Sequence, residues 1–159
     1  MIFVTLGSQK FQFNRLLIQL DNLVERGIIQ DKVFAQRGSS DYLPKNYESV
    51  QFLDREKFGQ YMSECDVVIT HAGTGAIMGA VKRGKKVIAV PRKKKYGEHV
   101  DEHQMQIVEE FEQLDIIEPC YEVEDLENAY KKIFEKEYTA YQSNTQAYLI
   151  EIEQIVESI

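Results

Sequence analysis

Nowhere in the 159 residues does an apolar run approach the roughly 20 residues that a membrane-spanning helix needs. The opening MIFVTLGSQ is too short for a secretory signal and lacks its basic start, so the chain is expected in the cytoplasm. There are only two cysteines, Cys65 and Cys120, with no CxxC spacing. That argues against a disulfide framework and for two reduced thiols. Internal repeats, low-complexity tracts and linkers are missing too, so residues 1–159 read as a single domain, long enough to bury a sizeable core.

The most informative absence is local. Between Val67 and Gly97 there is no acidic residue, while Lys82, Arg83, Lys85, Lys86, Arg92, Lys93, Lys94 and Lys95 supply eight bases. The whole chain has 19 Lys+Arg against 26 Asp+Glu, so the rest carries 11 bases against 26 acids. Such sign asymmetry points to a local anionic partner or, for Lys93 to Lys95 alone, to a solvated rim. Nucleic acid is a poor fit, because Tyr96 is the segment's one aromatic and the surface elsewhere is acidic.

What the segment does contain is a strand, a glycine loop and a helix. Val67-Val68-Ile69-Thr70 is a short β-branched run suited to a strand buried on both faces. His71-Ala72-Gly73-Thr74-Gly75 follows, and a helix starting near Gly75 adds its positive end to backbone N–H groups freed by the glycines. That combination holds a diphosphate. Gly84 stops the helix, and Val87 to Val90 form the next strand before Pro91.

The flanks repeat the alternation. Strands are expected at Met1 to Leu6, Lys32 to Gln36, Val50 to Leu53 and Ile116-Ile117. Helices are expected from Phe13 to Arg26, Arg55 to Ser63, Val100 to Leu114, Val123 to Lys136 and Tyr138 to Ile159. This is an α/β pattern, a Rossmann-like doubly wound parallel sheet whose ligand lies beyond the carboxyl ends of the strands, where Gly7, Gly38, Leu53, His71 and Pro91 stand. In the last helix Tyr141, Tyr148 and Ile155 recur seven apart beside Leu149, Ile152, Val156 and Ile159, a stripe that either caps the sheet or docks a partner.

FVTLGSQ, AQRGSSDY, CDVVITHAGTGAI, GKKVIAVPR and EHVDEHQ, in that order, resemble the C-terminal nucleotide-sugar-binding domain of glycosyltransferase family 28, in particular its free-standing subunits in two-subunit lipid-linked-sugar transferases. The resemblance implies the C-terminal half of a GT-B fold and a UDP-sugar donor, with no cofactor and no metal. It implies that Gly7 and Ser8 approach the donor phosphates, as do Gly73, Thr74 and Gly75. Gln36 and Gly38 would lie near the nucleotide and Leu53 near the uracil through its backbone. His71 would either contact phosphate or hold the loop in place, and His103 and Gln104 align with a pair that contacts the donor sugar. The catalytic base is unassigned, with His71 and His103 as candidates. Related two-domain enzymes carry a ribose-binding Glu where Gly79 or Ala80 stands here, so the ribose contact is unassigned as well.

The function so implied is an inverting transferase subunit extending a lipid-linked saccharide in capsule or exopolysaccharide synthesis, with β-1,4-galactosyl transfer the first guess. It would need a membrane-anchored acceptor-binding subunit, would sit peripherally at the inner face of the membrane, and could self-associate as a homodimer when isolated. Two other readings compete. A non-catalytic nucleotide-sugar-binding regulatory subunit would carry the same loop without turnover. His99-Val100-Asp101-Glu102-His103 matches the H-x-x-E-H zinc hydrolase pattern, but that pattern needs a helical pair of histidines and a third ligand, and none convincing follows.

Overall fold

The computed structural model, which describes residues 1–140 and 150–151, alternates strand and helix: β1 (Ile2–Thr5), α1 (Asn14–Glu25), β2 (Val33–Gln36), β3 (Glu48–Val50), α2 (Arg55–Glu64), β4 (Val67–His71), α3 (Thr74–Lys82), β5 (Lys86–Val90), α4 (His103–Gln113), β6 (Glu118–Pro119) and α5 (Leu126–Glu135). All six strands are parallel, in the order β3-β2-β1-β4-β5-β6. The chain winds outward from β1 in one direction and then from β4 in the other. The crevice between the carboxyl ends of β1 and β4 is therefore the switch point at which such sheets bind ligands.

Strand periodicity divides the core into two layers. Ile2, Val4, Val33, Ala35, Val67, Ile69, Ile88 and Val90 face α1 and α5, where they meet Leu16, Leu17, Leu20, Leu23, Leu126 and Ile133. Phe3, Phe34, Val68, Val87 and Ala89 face α2, α3 and α4 and meet Met62, Ile77, Ala80, Val108 and Phe111. Phe34 stacks on Tyr61 with centroids 4.0 Å apart. Each fully buried leucine or phenylalanine contributes roughly 1.5–3 kcal/mol, so the strands are fixed by both faces and the loops at their ends inherit that rigidity. Both cysteines are buried and unpaired.

Several element bounds differ from the sequence expectation. The third strand is Glu48–Val50 rather than Val50 to Leu53, because after Gln51 the chain turns away and Leu53 gives its N–H to the Gln36 side chain at 2.8 Å. Helix α4 begins at His103 rather than Val100: Val100 is exposed, and Asp101 Oδ1 accepts the His103 N–H at 3.0 Å. The last strand follows Ile116-Ile117 instead of coinciding with them. Val123–Asp125 is a single 3-10 turn leading into α5.

Tyr138 does not open a helix. Residues 138–140 belong to no helix or strand, with the Tyr138 hydroxyl donating to Glu118 Oε2 at 2.7 Å and the Thr139 N–H to the Asp115 carbonyl at 2.8 Å. The stripe of Tyr141, Tyr148, Leu149, Ile152, Ile155, Val156 and Ile159, and the docking role expected of it, lie outside the described residues.

Candidate functional site

Two tight turns meet at the switch point. Thr5 and Thr70 are register partners at the ends of β1 and β4, and the Thr70 hydroxyl donates to the Thr5 carbonyl at 2.8 Å. One step further, Gly7 turns with φ +74 and Gly38, after β2, with φ +62. A Cβ on Gly38 would lie 2.8 Å from the Gly7 carbonyl oxygen, so these two loops touch through bare backbone. Larger residues would push them apart. Ser8, next to Gly7, is exposed.

The glycine loop after β4 is equally close-set. A Cβ on Gly73 would lie 2.4 Å from His71 Cε1, and one on Gly7 would lie 2.8 Å from His71 Nε2. The Cε1–Nε2 edge of the imidazole is thus gripped between two glycines. Gly73 is the N-cap of α3 and supplies no side-chain cap, and no acid stands in the first turn. The N–H groups of Thr74, Gly75 and Ala76 therefore have no intrahelical acceptor, and the helix dipole adds positive potential beside them. A Cβ on Gly75 would meet nothing within 4 Å. The structure thus offers uncapped donors, open space and no negative charge, which is what a phosphate needs.

His71 itself is 7% exposed. Burial first, and then the positive potential of Arg92 and His99, lower its pKa to about 3. It is a neutral ring at physiological pH and a poor proton acceptor, so the geometry favours a hydrogen-bonding role over that of general base.

Behind His71 lies a polar framework of which the sequence reading named only Gln104, and that as a contact to the donor sugar. Gln104 is buried, its Oε1 accepting the Arg92 N–H at 2.9 Å and its Nε2 standing 3.3 Å from His71 Nδ1. Arg92 is 1% exposed and donates from Nη2 to the Leu6 carbonyl at 2.5 Å, and from Nη1 to the carbonyls of Phe11 and Gln12, each at 3.1 Å. Burial lowers its pKa to about 10, still far above neutrality. Glu98, also 1% exposed, accepts the Lys93 N–H at 2.9 Å and a two-pronged contact from Arg15 at 3.0 and 3.1 Å. These contacts bolt the chain after β5 onto the turn after β1. Two arginines and a glutamate scattered over the sequence carry no local signal of this. A basic residue directly after a buried strand and a proline was the available hint.

The remaining expected site residues fall as follows. Gln36 is buried, with Oε1 holding the Leu53 N–H and Nε2 3.5 Å from the Thr5 hydroxyl, so it fixes the Leu53 loop from within. Leu53 lies at the rim with its N–H thereby spent, and its carbonyl is the backbone group it can offer a base. His103 is half-buried at the start of α4, its Nδ1 3.4 Å from Asp101 Oδ2, while His99 Nδ1 is 3.1 Å from Asp101 Oδ1. Burial would raise the Asp101 pKa, but the His103 N–H and the two imidazoles outweigh it and hold it low. His99 precedes α4, so the two histidines do not form the helical pair that the H-x-x-E-H reading requires. Among the described residues no group of three or more His, Cys, Asp or Glu is arranged to hold a metal.

The basic segment does not present a single face. Lys85 Nζ donates to the carbonyls of Ser63 and Cys65, and Lys86 Nζ to that of Ile133, at the amino edge of the sheet opposite the crevice. Arg92 is internal, and Lys93 is buried against Glu122. Lys94 and Lys95 are the two residues of the lysine run exposed beside the site. A cavity of about 350 Å³ does open at the amino edge, between Val81, Ile116 and Tyr138, but it has no free helix N-terminus.

Comparison with known proteins bears on this arrangement. The sequence model described as glycosyltransferase family 28 C-terminal domain matches residues 1–159. A 58-residue stretch is 38% identical to the UDP-N-acetylglucosamine transferase subunit ALG13 of Debaryomyces hansenii, covering 36% of this chain and 27% of that protein. Among solved structures, MurG of Acinetobacter baumannii superposes with a TM-score of 0.58 at 17% identity, over 84% of this chain and 40% of its own. The glycosyltransferase SnogD from Streptomyces nogalater gives a TM-score of 0.54 at 21% identity, over 84% and 38%. The chain thus spans well under half the length of each, and the shared part is the fold.

Proposed function

Because the chain belongs to the glycosyltransferase family 28 C-terminal domain family, we propose that it is the donor-binding subunit of an inverting transferase that takes a UDP-sugar and extends a lipid-linked saccharide. The observation that carries this is the crevice between β1 and β4, where the bare backbone of Gly7 and Gly73, the neutral His71 and the uncapped start of α3 converge. In the reaction the acceptor hydroxyl oxygen bonds to the anomeric carbon as the bond from that carbon to the β-phosphate oxygen breaks. UDP departs with the bonding electrons, and the acceptor proton passes to a base. Fixed N–H donors and a helix N-terminus stabilise the negative charge growing on UDP, the role a metal ion fills elsewhere. The proposal is therefore metal-independent transfer, unchanged by a chelator.

His71 is too weakly basic to accept the acceptor proton. His103, aligned by Asp101, is this chain's candidate, and the acceptor half of the site is the other possible source. In this reading that half belongs to a membrane-anchored subunit, which also brings the chain to the cytoplasmic face of the membrane. No described helix is long and apolar enough to cross a membrane. The relative that supports a two-component arrangement is itself named as a transferase subunit. Capsule or exopolysaccharide synthesis is the proposed setting, with galactose the first sugar to test. Full-length chain co-expressed with a membrane-anchored candidate partner should transfer from one member of a UDP-sugar panel, and each component alone should transfer little. Binding of UDP-sugar without turnover in any such mixture would favour a regulatory subunit instead.

A further inference from the structure

The orientation of one buried amide decides which nitrogen of His71 carries its proton. The Arg92 backbone N–H can only donate, so the Gln104 atom 2.9 Å from it must be the carbonyl oxygen. The other end of the same amide is then an NH2 group, and it stands 3.3 Å from His71 Nδ1. An NH2 group can only donate, so Nδ1 must accept, and the proton of the neutral ring must sit on Nε2. Nε2 is the nitrogen gripped between Gly7 and Gly73, and it has no hydrogen-bond partner among the described residues.

We infer that Gln104 is a positioning residue whose buried amide, clamped by the Arg92 N–H, holds His71 as the Nε2–H tautomer so that the ring presents a neutral N–H donor to the diphosphate of the donor nucleotide. The ligand half of this inference rests on the donor-site reading above, while the tautomer half does not. It places Gln104 directly behind the phosphate site, with one bond at each end of its amide made inside the protein. The arrangement also has a chemical logic. A neutral donor locked in place binds an anion without needing a proton from solvent, and its hydrogen bond strengthens as negative charge accumulates on the departing UDP. The groups facing the ring, namely Gln104, Arg92 and His99, include no carboxylate that would favour a charged imidazole.

The test is the long-range proton–nitrogen NMR spectrum of the imidazoles in the uniformly nitrogen-15-labelled full chain, with His71 assigned by its loss in His71→Gln. Wild type near neutral pH should show the Nε2–H tautomer for His71, and added UDP should shift its Nε2 signal. Gln104→Glu keeps the size of the side chain but replaces the NH2 donor with an acceptor, so Nδ1 should become protonated, a change that mere packing would not produce. Gln104→Met, which fixes neither tautomer, should weaken UDP binding only about twofold, the share of rings left in the other form, whereas Gln104→Glu, which strips the proton from Nε2, should weaken it by roughly tenfold, the loss of one hydrogen bond to a charged group. An Nδ1–H tautomer in wild type, or an unchanged Nε2–H pattern in Gln104→Glu, would overturn the role of Gln104. UDP binding that leaves Nε2 unmoved would overturn the contact while the donor-site reading stands. Failure of wild type to bind UDP at all would overturn the donor-site reading, with the tautomer of the free protein still deciding for or against Gln104.

Discussion

Arg92 Nη2 lies 2.5 Å from the carbonyl oxygen of Leu6, so the chain leaving β5 is tied directly to the end of β1, 86 residues earlier. The same guanidinium holds the carbonyls of Phe11 and Gln12 and lies over the Phe13 ring at 5.1 Å. The Gly7 turn is thereby set from behind by an arginine that never reaches the crevice.

Arg92→Met should therefore cost about 3 kcal/mol or more, because it leaves the buried Leu6 carbonyl and the part-buried carbonyls of Phe11 and Gln12 without this donor, and Glu98 with less positive charge around it. Urea unfolding followed by circular dichroism measures this. A loss below about 1 kcal/mol, the range of a surface substitution, would show that the loops hold without it.

Gly73 and Gly75 should respond in opposite ways to alanine. At Gly73 the new methyl would collide with the His71 ring, 2.4 Å from Cε1, so the fold should lose stability and the ring should shift. Gly75→Ala meets nothing within 4 Å and removes a flexible residue from a helix, so it should gain about 0.5 kcal/mol or stay level. A bulkier Gly75→Leu should leave the fold intact yet abolish UDP binding by filling the open space. Thermal melts and calorimetry separate the two effects.

The titration of His71 gives a pH signature. Its folded pKa, about 3, lies below its unfolded value of about 6.5, so the unfolded chain binds the extra proton first as pH falls. The contribution to stability is complete above about pH 6.5 and is lost progressively down to about pH 3. Between about pH 6.5 and 5, above the range in which carboxylates titrate, unfolding free energy should fall with acid in wild type and fall less steeply in His71→Gln. Equal slopes would contradict the neutral buried ring.

Asp21 should prove structural despite being a buried carboxylate. It accepts from the Tyr42 hydroxyl at 2.6 Å, from the N–H groups of Lys45 and Asn46 at 2.8 Å each, and from the Asn46 side chain at 2.9 Å. Burial alone would raise its pKa, but these donors outweigh it and hold the carboxylate ionised. Asp21→Ala should cost about 3 kcal/mol and leave UDP affinity unchanged in the folded fraction.

How much of this was legible in the sequence depended on whether the signal was local. The β-branched run at Val67 to Thr70 and the Gly-Thr-Gly after it define β4 and the start of α3 without reference to anything distant. The third strand was displaced because the apolar run Val50 to Leu53 continues past the sheet, and only the Gln36 side chain, a long-range partner, decides where it leaves. Val100 looks like the first apolar residue of α4, yet the helix starts only at His103, whose N–H the Asp101 carboxylate accepts, and Val100 is left exposed outside it. Charge misled most. Eight bases within one acid-free stretch point to a local anionic partner, whereas the fold spends Lys85 and Lys86 at one edge of the sheet and buries Arg92 and Lys93.

That division makes the lysines separable. Lys94→Gln with Lys95→Gln should weaken association with anionic vesicles at low salt by about 1 kcal/mol per charge, with stability and UDP binding unchanged. Lys93→Gln should instead lower stability, since it removes the partner of Glu122. Vesicle sedimentation of the two variants reads the first effect and urea unfolding the second, and a loss of vesicle binding confined to Lys93→Gln would place the membrane contact elsewhere.

The central claim is that the crevice between β1 and β4 receives the nucleotide diphosphate, and a backbone amide NMR titration of the full chain with UDP tests it most directly. The account predicts saturable shifts concentrated at Gly7, Ser8, Gly38, Gly73, Thr74 and Gly75. Shifts that do not saturate, or that gather at the amino edge around Val81, Ile116 and Tyr138, would contradict it.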